Sequence, residues 1–184
     1  MSKLFRTFVE EKRKQKNMPK DIEIERKFLM RVNPFRFDYD DVVEIHQCYL
    51  PRDEEGFTVR YRATALDGVA AYVKTRKKRI SDMSCTELEH KVTKPEYDRA
   101  EEESLKSLVK LRYRKKIGNL VWELDDFLTS RLMIMEVELP SEDYEFDIPK
   151  EVEICTLMEV TGIDEFYNEN IAITDEVAAT QIRV

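Results

Sequence analysis

The stretch DIEIERKFLMR, Asp21 to Arg31, decides how the rest of the chain is read. Its charges at Glu23, Glu25 and Lys27 are spaced by two. On a helix those side chains would fan around the axis, whereas along a strand successive side chains alternate faces. Read as a strand, the stretch puts Glu23, Glu25 and Lys27 on one face. Ile22, Ile24 and Phe28 lie on the other, with Arg26 among them. Taken alone, such a strand is equally well an ordinary solvated surface. The reading turns on whether later strands repeat the pattern.

They do. Asn33-Pro34 breaks the chain, and Val42 to Leu50 reads as a second strand. Phe57 to Leu66 is a third, with Val59-Arg60-Tyr61-Arg62 at its centre. Asp67-Gly68 is a hairpin turn signal. It leads into Val69 to Lys77, which places Tyr72, Lys74 and Arg76 on one face. Cys85 to Val92 alternates Glu87 and Glu89 against Leu88. Pro95 opens a helix expected to run to about Leu108. Val109 to Lys115 alternates Lys110, Arg112 and Arg114 with Leu111 and Tyr113. Leu120 to Leu128 sets Glu123 and Asp125 against Trp122 and Leu124, and Leu132 to Leu139 sets Glu136 and Glu138 against Met135, Val137 and Leu139. The apolar run Val152 to Val160 has no clear periodicity.

Composition bounds the rest. The 184 residues suffice for one domain with a sizeable core. With 38% charged residues the chain is well above the usual share, and its net charge of -7 argues against a nucleic-acid coat held by global charge. No apolar run approaches a membrane span, and the N-terminus lacks the apolar core of a signal peptide. Cys48, Cys85 and Cys155 are odd in number and lack CxxC spacing, which indicates neither a zinc site nor a disulfide framework. His46 and His90 have no evident ligand partner and read as structural. These features point to a cytoplasmic protein. Residues 1–20 read as a basic helical extension, with Leu4, Phe5, Phe8 and Val9 at helical spacing before a basic run. Residues 21–171 form the main domain, and 172–184 a tail.

The charges segregate by sign. Glu23, Glu25, Glu87, Glu89, Asp125, Glu136 and Glu138 sit on four strands, and Arg60, Arg62, Lys74, Arg76, Lys110 and Arg112 on three others. An antiparallel sheet with one wet face explains the alternation but gives no reason for sorting by sign. Acidic strands and basic strands suggest two walls facing a common ligand. Carboxylates suit hard divalent cations, and lysine and arginine suit phosphate. Closing about eight strands into a barrel would enclose such a polar lumen.

In this form the chain resembles the CYTH domain, the fold of the triphosphate tunnel metalloenzymes. The resemblance rests on Glu23-Ile24-Glu25-Arg26-Lys27 as the ExExK motif, followed by Phe28-Leu29. It continues through Gln47-Cys48-Tyr49-Leu50, Arg60-Tyr61-Arg62, Lys74, Glu87-Leu88-Glu89 and Lys110-Leu111-Arg112-Tyr113. Trp122-Glu123-Leu124-Asp125-Asp126-Phe127 and Glu136-Val137-Glu138 complete it, in order, and Val160-Thr161-Gly162 and Phe166-Tyr167-Asn168 resemble the C-terminal helix. Cys85 stands where an arginine is usual, and Cys48 and Thr75 where glycines are usual.

The resemblance implies a mainly β (α+β) fold, an antiparallel eight-stranded closed β-barrel with flanking helices. It implies metal-dependent hydrolysis of inorganic tripolyphosphate or a small organic or nucleoside triphosphate, with Mg2+ or Mn2+ as cofactor. Metal ligands would be Glu23, Glu25, Asp125, Glu136 and Glu138. Lys27, Arg60, Arg62, Lys74, Arg76, Lys110 and Arg112 would bind substrate, and Lys27, Glu87 and Glu89 would be catalytic. A class IV-type adenylyl cyclase, an RNA 5′-triphosphatase contacted through the basic N-terminal run, and a non-catalytic triphosphate-binding protein are the alternatives. The expected partner is a triphosphate-containing small molecule, with no membrane, no nucleic acid beyond an RNA 5′ end, and room for a homodimer.

Overall fold

A computed structural model describes residues 21–66 and 68–173. The basic extension expected over residues 1–20 lies outside the described residues, as does most of the expected tail. The strands are β1 (Ile22–Met30), β2 (Asp41–Leu50), β3 (Thr58–Leu66), β4 (Val69–Arg79) and β5 (Ser84–Lys91). Helix α1 (Lys94–Glu102) follows, then β6 (Lys106–Ile117), β7 (Leu120–Phe127) and β8 (Met133–Glu138). A short helix α2 (Lys150–Glu153), strand β9 (Thr156–Glu159), a 3-10 turn (Asp164–Phe166) and one helical turn α3 (Asn168–Ile171) complete the chain.

Every strand pairing is antiparallel, in the order β5-β4-β3-β2-β6-β7-β8-β1, and Ile22 to Ile24 of β1 pair back to β5. That last pairing closes an eight-stranded barrel. The ninth strand, β9, lies outside the ring against Phe28 to Met30, where β1 has moved away from β5. Closure removes the free edges of an open sheet and gives each strand an inner and an outer face.

The outer face is the apolar one. Ile24, Phe28, Trp122, Leu124, Met135 and Val137 are buried beneath Phe35 and Val152, which come from the segments wrapped around that side. On the opposite side α1 lays Tyr97 and Ala100 over Cys48. The run expected to be helical as far as Leu108 ends at Glu102 instead, and β6 begins at Lys106. The alternation of Lys106, Leu108 and Lys110 belongs to that strand, and the Leu105 N–H already donates to the Tyr49 carbonyl. The helix start is as expected: Pro95 lies in the first turn, and Thr93 and Glu96 form a capping box.

The inner face is charged along most of its length and apolar at one end. Tyr49, Leu108, Phe127 and Ile134 occupy the same strand faces as the charges, and they pack against Ile171 and Ala172. Ser107 and Ile173 exchange backbone hydrogen bonds beside them. The C-terminal segment therefore roofs this end of the barrel.

Candidate functional site: a charged lumen

Strand order explains the sorting of charge. Around the barrel the neighbours β7, β8, β1 and β5 carry Glu123, Asp125, Glu136, Glu138, Glu23, Glu25, Glu87 and Glu89. The neighbours β4, β3, β2 and β6 carry Lys77, Arg60, Arg62, the neutral Gln47 and Ile45, and then Lys110 and Arg112. The two expected walls are thus two halves of one ring, and Lys27 is the cation set within the acidic half. Two cross-strand pairs place like charges directly opposite: Glu25 faces Glu138, and Glu123 faces Glu136. Such pairs destabilise a sheet, so a fold that keeps them has a use for concentrated negative charge.

The walls hold each other. Arg112 donates from Nε to Asp125 Oδ1 at 2.6 Å and from its NH2 group to Asp125 Oδ2 at 2.6 Å. It also reaches Glu136 at 2.6 Å and pairs with Glu123. Lys110, 1% exposed, donates to Asp125, which is 0% exposed. Lys27 Nζ donates to Glu136 and lies 2.8 Å from Glu25. Across the ring Arg62 donates to Glu89 at 3.0 Å, and Arg60 lies 3.6 Å from Glu87. Gln47, with its amide oxygen turned toward Arg60, accepts from that guanidinium at 3.1 Å.

These contacts set the protonation states. Burial works against the charge on Glu136, but Lys27 and Arg112 outweigh it and hold its carboxyl well below the usual range. Glu87 and Glu89 are also lowered against their burial, by Lys77 with Arg60 and by Arg62 with Arg60. Lys27 is raised because Glu136 and Glu25 overcome desolvation. Lys110 goes the other way: burial, helped by nearby Arg112, outweighs Asp125 and pushes it down to about 8.

Arg62 Nε on the basic half is buried without a hydrogen bond, while Glu87 Oε2 on the acidic half lies 3.0 Å from the Lys77 ammonium. Arg62 Nε is an unfilled donor. Native interiors leave few such groups. Here the unfilled donor fits an anion. Glu23, Cys85 and Glu87 bring one ligand atom each to within 4.8 Å of one another, so the acidic half has a donor set for a metal ion.

Of the residues expected to bind, Glu23, Glu25, Lys27, Arg60, Arg62, Glu87, Glu89, Lys110, Arg112, Glu136 and Glu138 line one lumen, and buried Asp125 anchors Arg112 and Lys110 behind it. Lys74 and Arg76 are the exceptions, and their expected place in the lumen is corrected. They share a face, but it is the outer one. Lys74 lies over the ring of Tyr61, and Arg76 stacks on Phe57 and pairs with Asp53 at 2.6 Å. The hairpin register puts Arg60 opposite Thr75, so the inward residues of β4 are Thr75 and Lys77. Lys77 was missed, as were Gln47 and Asn168. Cys85, which replaces the usual arginine, faces inward, and its thiol donates to Glu23 at 3.5 Å.

The lumen opens beneath the C-terminal roof into a cavity of about 360 Å³. Its walls are the β4–β5 turn from Ser81 to Cys85 and the segment from Thr161 to Asn170. Arg79 stacks on Tyr167 at 4.0 Å and pairs with Asp164. Gly162 is needed here: its φ is +77°, and a Cβ would come within 2.7 Å of Asp82 Cβ.

A closed antiparallel barrel with opposed acidic and basic walls defines a tunnel protein with a zwitterionic lumen. No protein-family model and no curated protein matches the chain. Solved structures do. Two crystal structures of NE1496, called an inorganic triphosphatase in one of them, are 27% and 26% identical with TM-scores of 0.56 and 0.55. The alignments cover 83% of this chain and 98% and 95% of theirs. A Bacillus halodurans protein provisionally named an adenylate cyclase aligns at 19% identity and a TM-score of 0.54, covering 68% of this chain and 84% of its own, a likeness of fold alone. In fold and motif order the chain resembles the triphosphate tunnel proteins of the CYTH type. Among the described residues, no helix is long and apolar enough to cross a membrane.

Proposed function

We propose that the chain is a divalent-metal-dependent triphosphatase acting on inorganic tripolyphosphate or a small organic or nucleoside triphosphate. The observation that carries this reading is one lumen with Arg62 Nε buried and unfilled among its cations and with Glu23, Cys85 and Glu87 converging among its carboxylates. The likeness to an inorganic triphosphatase at 26% identity supports it.

Arg60, Arg62, Lys110, Arg112 and Lys27 grip the phosphate chain through charge-assisted bonds, with arginine able to bind two oxygens at once. Glu23, Glu25 and Glu87, with Glu136 and Glu138, would hold Mg2+ or Mn2+, hard cations that take oxygen ligands. Asp125 is more deeply buried than the carboxylates that line the lumen. Its oxygens are taken by Arg112 and Lys110, so it orients the phosphate grip. A bound divalent ion would supply Lewis acidity and a water of lowered pKa. In the hydrolysis a water oxygen bonds to the terminal phosphorus, the bridging P–O bond breaks, and the departing diphosphate group takes the electron pair. Glu87, ionised and beside that donor set, would orient that water and take its proton, with Glu89 behind it. Phosphoryl transfer of this kind needs positioning and charge neutralisation more than covalent chemistry.

The test is phosphate release from tripolyphosphate, ATP and thiamine triphosphate with Mg2+ and then Mn2+, beside Glu25→Gln. Release that falls about 100-fold or more in the variant supports the reading and ranks the substrates. No release from any of them, with triphosphate still bound, leaves a non-catalytic binder and overturns it.

A further inference from the structure

Lys77 occupies an unusual place. It belongs to the basic half by strand order, yet its ammonium lies among the carboxylates of the adjoining acidic strands. Nζ pairs with Glu23, sits 3.0 Å from Glu87 Oε2 and 3.8 Å from Glu25 Oε1. Glu25 in turn is 2.8 Å from Lys27. Three carboxylates thus converge on one tethered cation, at the spot where Glu23, Cys85 and Glu87 also converge.

The setting lets Lys77 leave. Its side chain is 29% exposed, where Lys27 is 6% and Lys110 is 1%. With Glu25, Lys27, Arg60 and Asn168 it lines both the lumen and the 360 Å³ cavity, so free space lies directly beside it. It stands on a flexible four-carbon stem and carries a point charge without fixed bonding geometry. Lys77 faces Glu87 across the β4–β5 ladder, and Thr75, two residues earlier on the same face, faces Arg60. A modest swing therefore carries the ammonium from the acidic half toward the basic half.

We infer that Lys77 is an internal counter-ion: it competes with a divalent cation for Glu23, Glu25 and Glu87, and an incoming triphosphate draws it onto phosphate oxygens and frees those carboxylates. This rests on the triphosphate reading above and adds to it an order of events. The anion and the cation become coupled because one side chain must change partners for both, and such coupling is reciprocal.

The inference gives two effects of opposite sign. Lys77→Gln removes the competitor, so Mn2+ alone, followed by the electron paramagnetic resonance of the free ion, binds about tenfold tighter or more, as expected from removing a unit charge from among three carboxylates. The same variant loses a phosphate contact, so tripolyphosphate titrated calorimetrically in EDTA binds more weakly. Lys77→Arg keeps the charge and stays close to wild type for Mn2+. A variant that merely damages the fold would weaken both ligands. Equal or weaker Mn2+ binding by Lys77→Gln, with the wild type binding Mn2+ and tripolyphosphate, overturns the role of Lys77 and leaves the triphosphate reading standing. Absence of binding for both ligands in the wild type overturns both.

Discussion

Arg112 holds Asp125 by both ends of its guanidinium, Nε to Oδ1 and the NH2 group to Oδ2, each at 2.6 Å, across the β6–β7 ladder. The carboxylate is fully buried, and Lys110 shares it. The pair couples the stability of the barrel to the geometry of its phosphate grip. Asp125→Asn takes from buried Lys110 the carboxylate it donates to and from Arg112 one of its three, which costs about 3–5 kcal/mol. Denaturant unfolding checks this, and a loss under about 1 kcal/mol would show that the lumen relaxes around the change. Arg112→Lys keeps the charge but loses the fork, and its triphosphate affinity falls even where its unfolding midpoint is largely kept.

Acid weakens the fold through the same lumen. Glu87, Glu89 and Glu136 have folded pKa values below their ordinary ones. The unfolded chain therefore binds their protons first, and stability falls as pH drops below about 4.5. Glu136→Gln lowers stability at neutral pH and flattens this acid limb. Thermal unfolding measured across pH tests it, and an unchanged acid limb in the variant would assign the loss to other carboxylates.

Lys110 gives the opposite pH signature. Its folded value is pushed down to about 8, below the ordinary lysine value. Between the two the unfolded state holds the extra proton, so through this residue stability rises with pH in that window. Triphosphate restores the favour for the charged form. Its binding at about pH 9 takes up a proton and its binding at about pH 6 takes up none at this site. Calorimetry in buffers of different ionisation enthalpy reads that proton directly, and Lys110→Met abolishes it.

The hairpin register makes a further distinction. Lys74 stands outside the barrel over Tyr61, while Arg60 lines the lumen. Lys74→Gln leaves tripolyphosphate affinity within about twofold, and Arg60→Gln reduces it by about tenfold or more, the worth of a charge-assisted bond. Calorimetric titration of both variants decides it, and equal losses would place β4 in the other register.

That register marks the limit of what the sequence discloses. The alternation of Glu23, Glu25 and Lys27 against Ile24 and Phe28 identifies a two-faced strand without further help, and the same holds for β5 to β8. On β4 the run Lys74, Thr75, Arg76, Lys77, Lys78, Arg79 puts cations on both faces, so alternation carries no information about which face is inward. Only the pairing of Leu66 with Val69, and thus of Arg60 with Thr75, settles it, because a shift of one residue flips every side chain. The closing contact of β1 with β5 is likewise a tertiary fact, and so is the neighbour order that gathers four acidic strands together. The end of α1 is not legible in the sequence because Leu105 and Leu108 continue a helical spacing while Lys106, Leu108 and Lys110 begin a strand, and pairing with β2 decides in favour of the strand.

Gly162 ties the C-terminal roof to the β4–β5 turn through its positive φ and its closeness to Asp82. Gly162→Ala strains that backbone and pushes the two apart, at a cost of about 1–3 kcal/mol. Thermal unfolding measures that cost. Because the roof borders the cavity beside Lys77, the variant also weakens triphosphate binding, whereas a change in stability alone would separate the roof from the site.

The measurement that tests the central claim most directly is anomalous diffraction at the manganese edge from crystals grown with Mn2+ and a non-hydrolysable imidotriphosphate. The account predicts a manganese peak inside the barrel among Glu23, Glu25 and Glu87, with phosphate density along Arg60, Arg62, Lys110 and Arg112. Manganese and triphosphate bound on the outer face, near Lys74 and Arg76, with the lumen still closed by its own ion pairs, would contradict it.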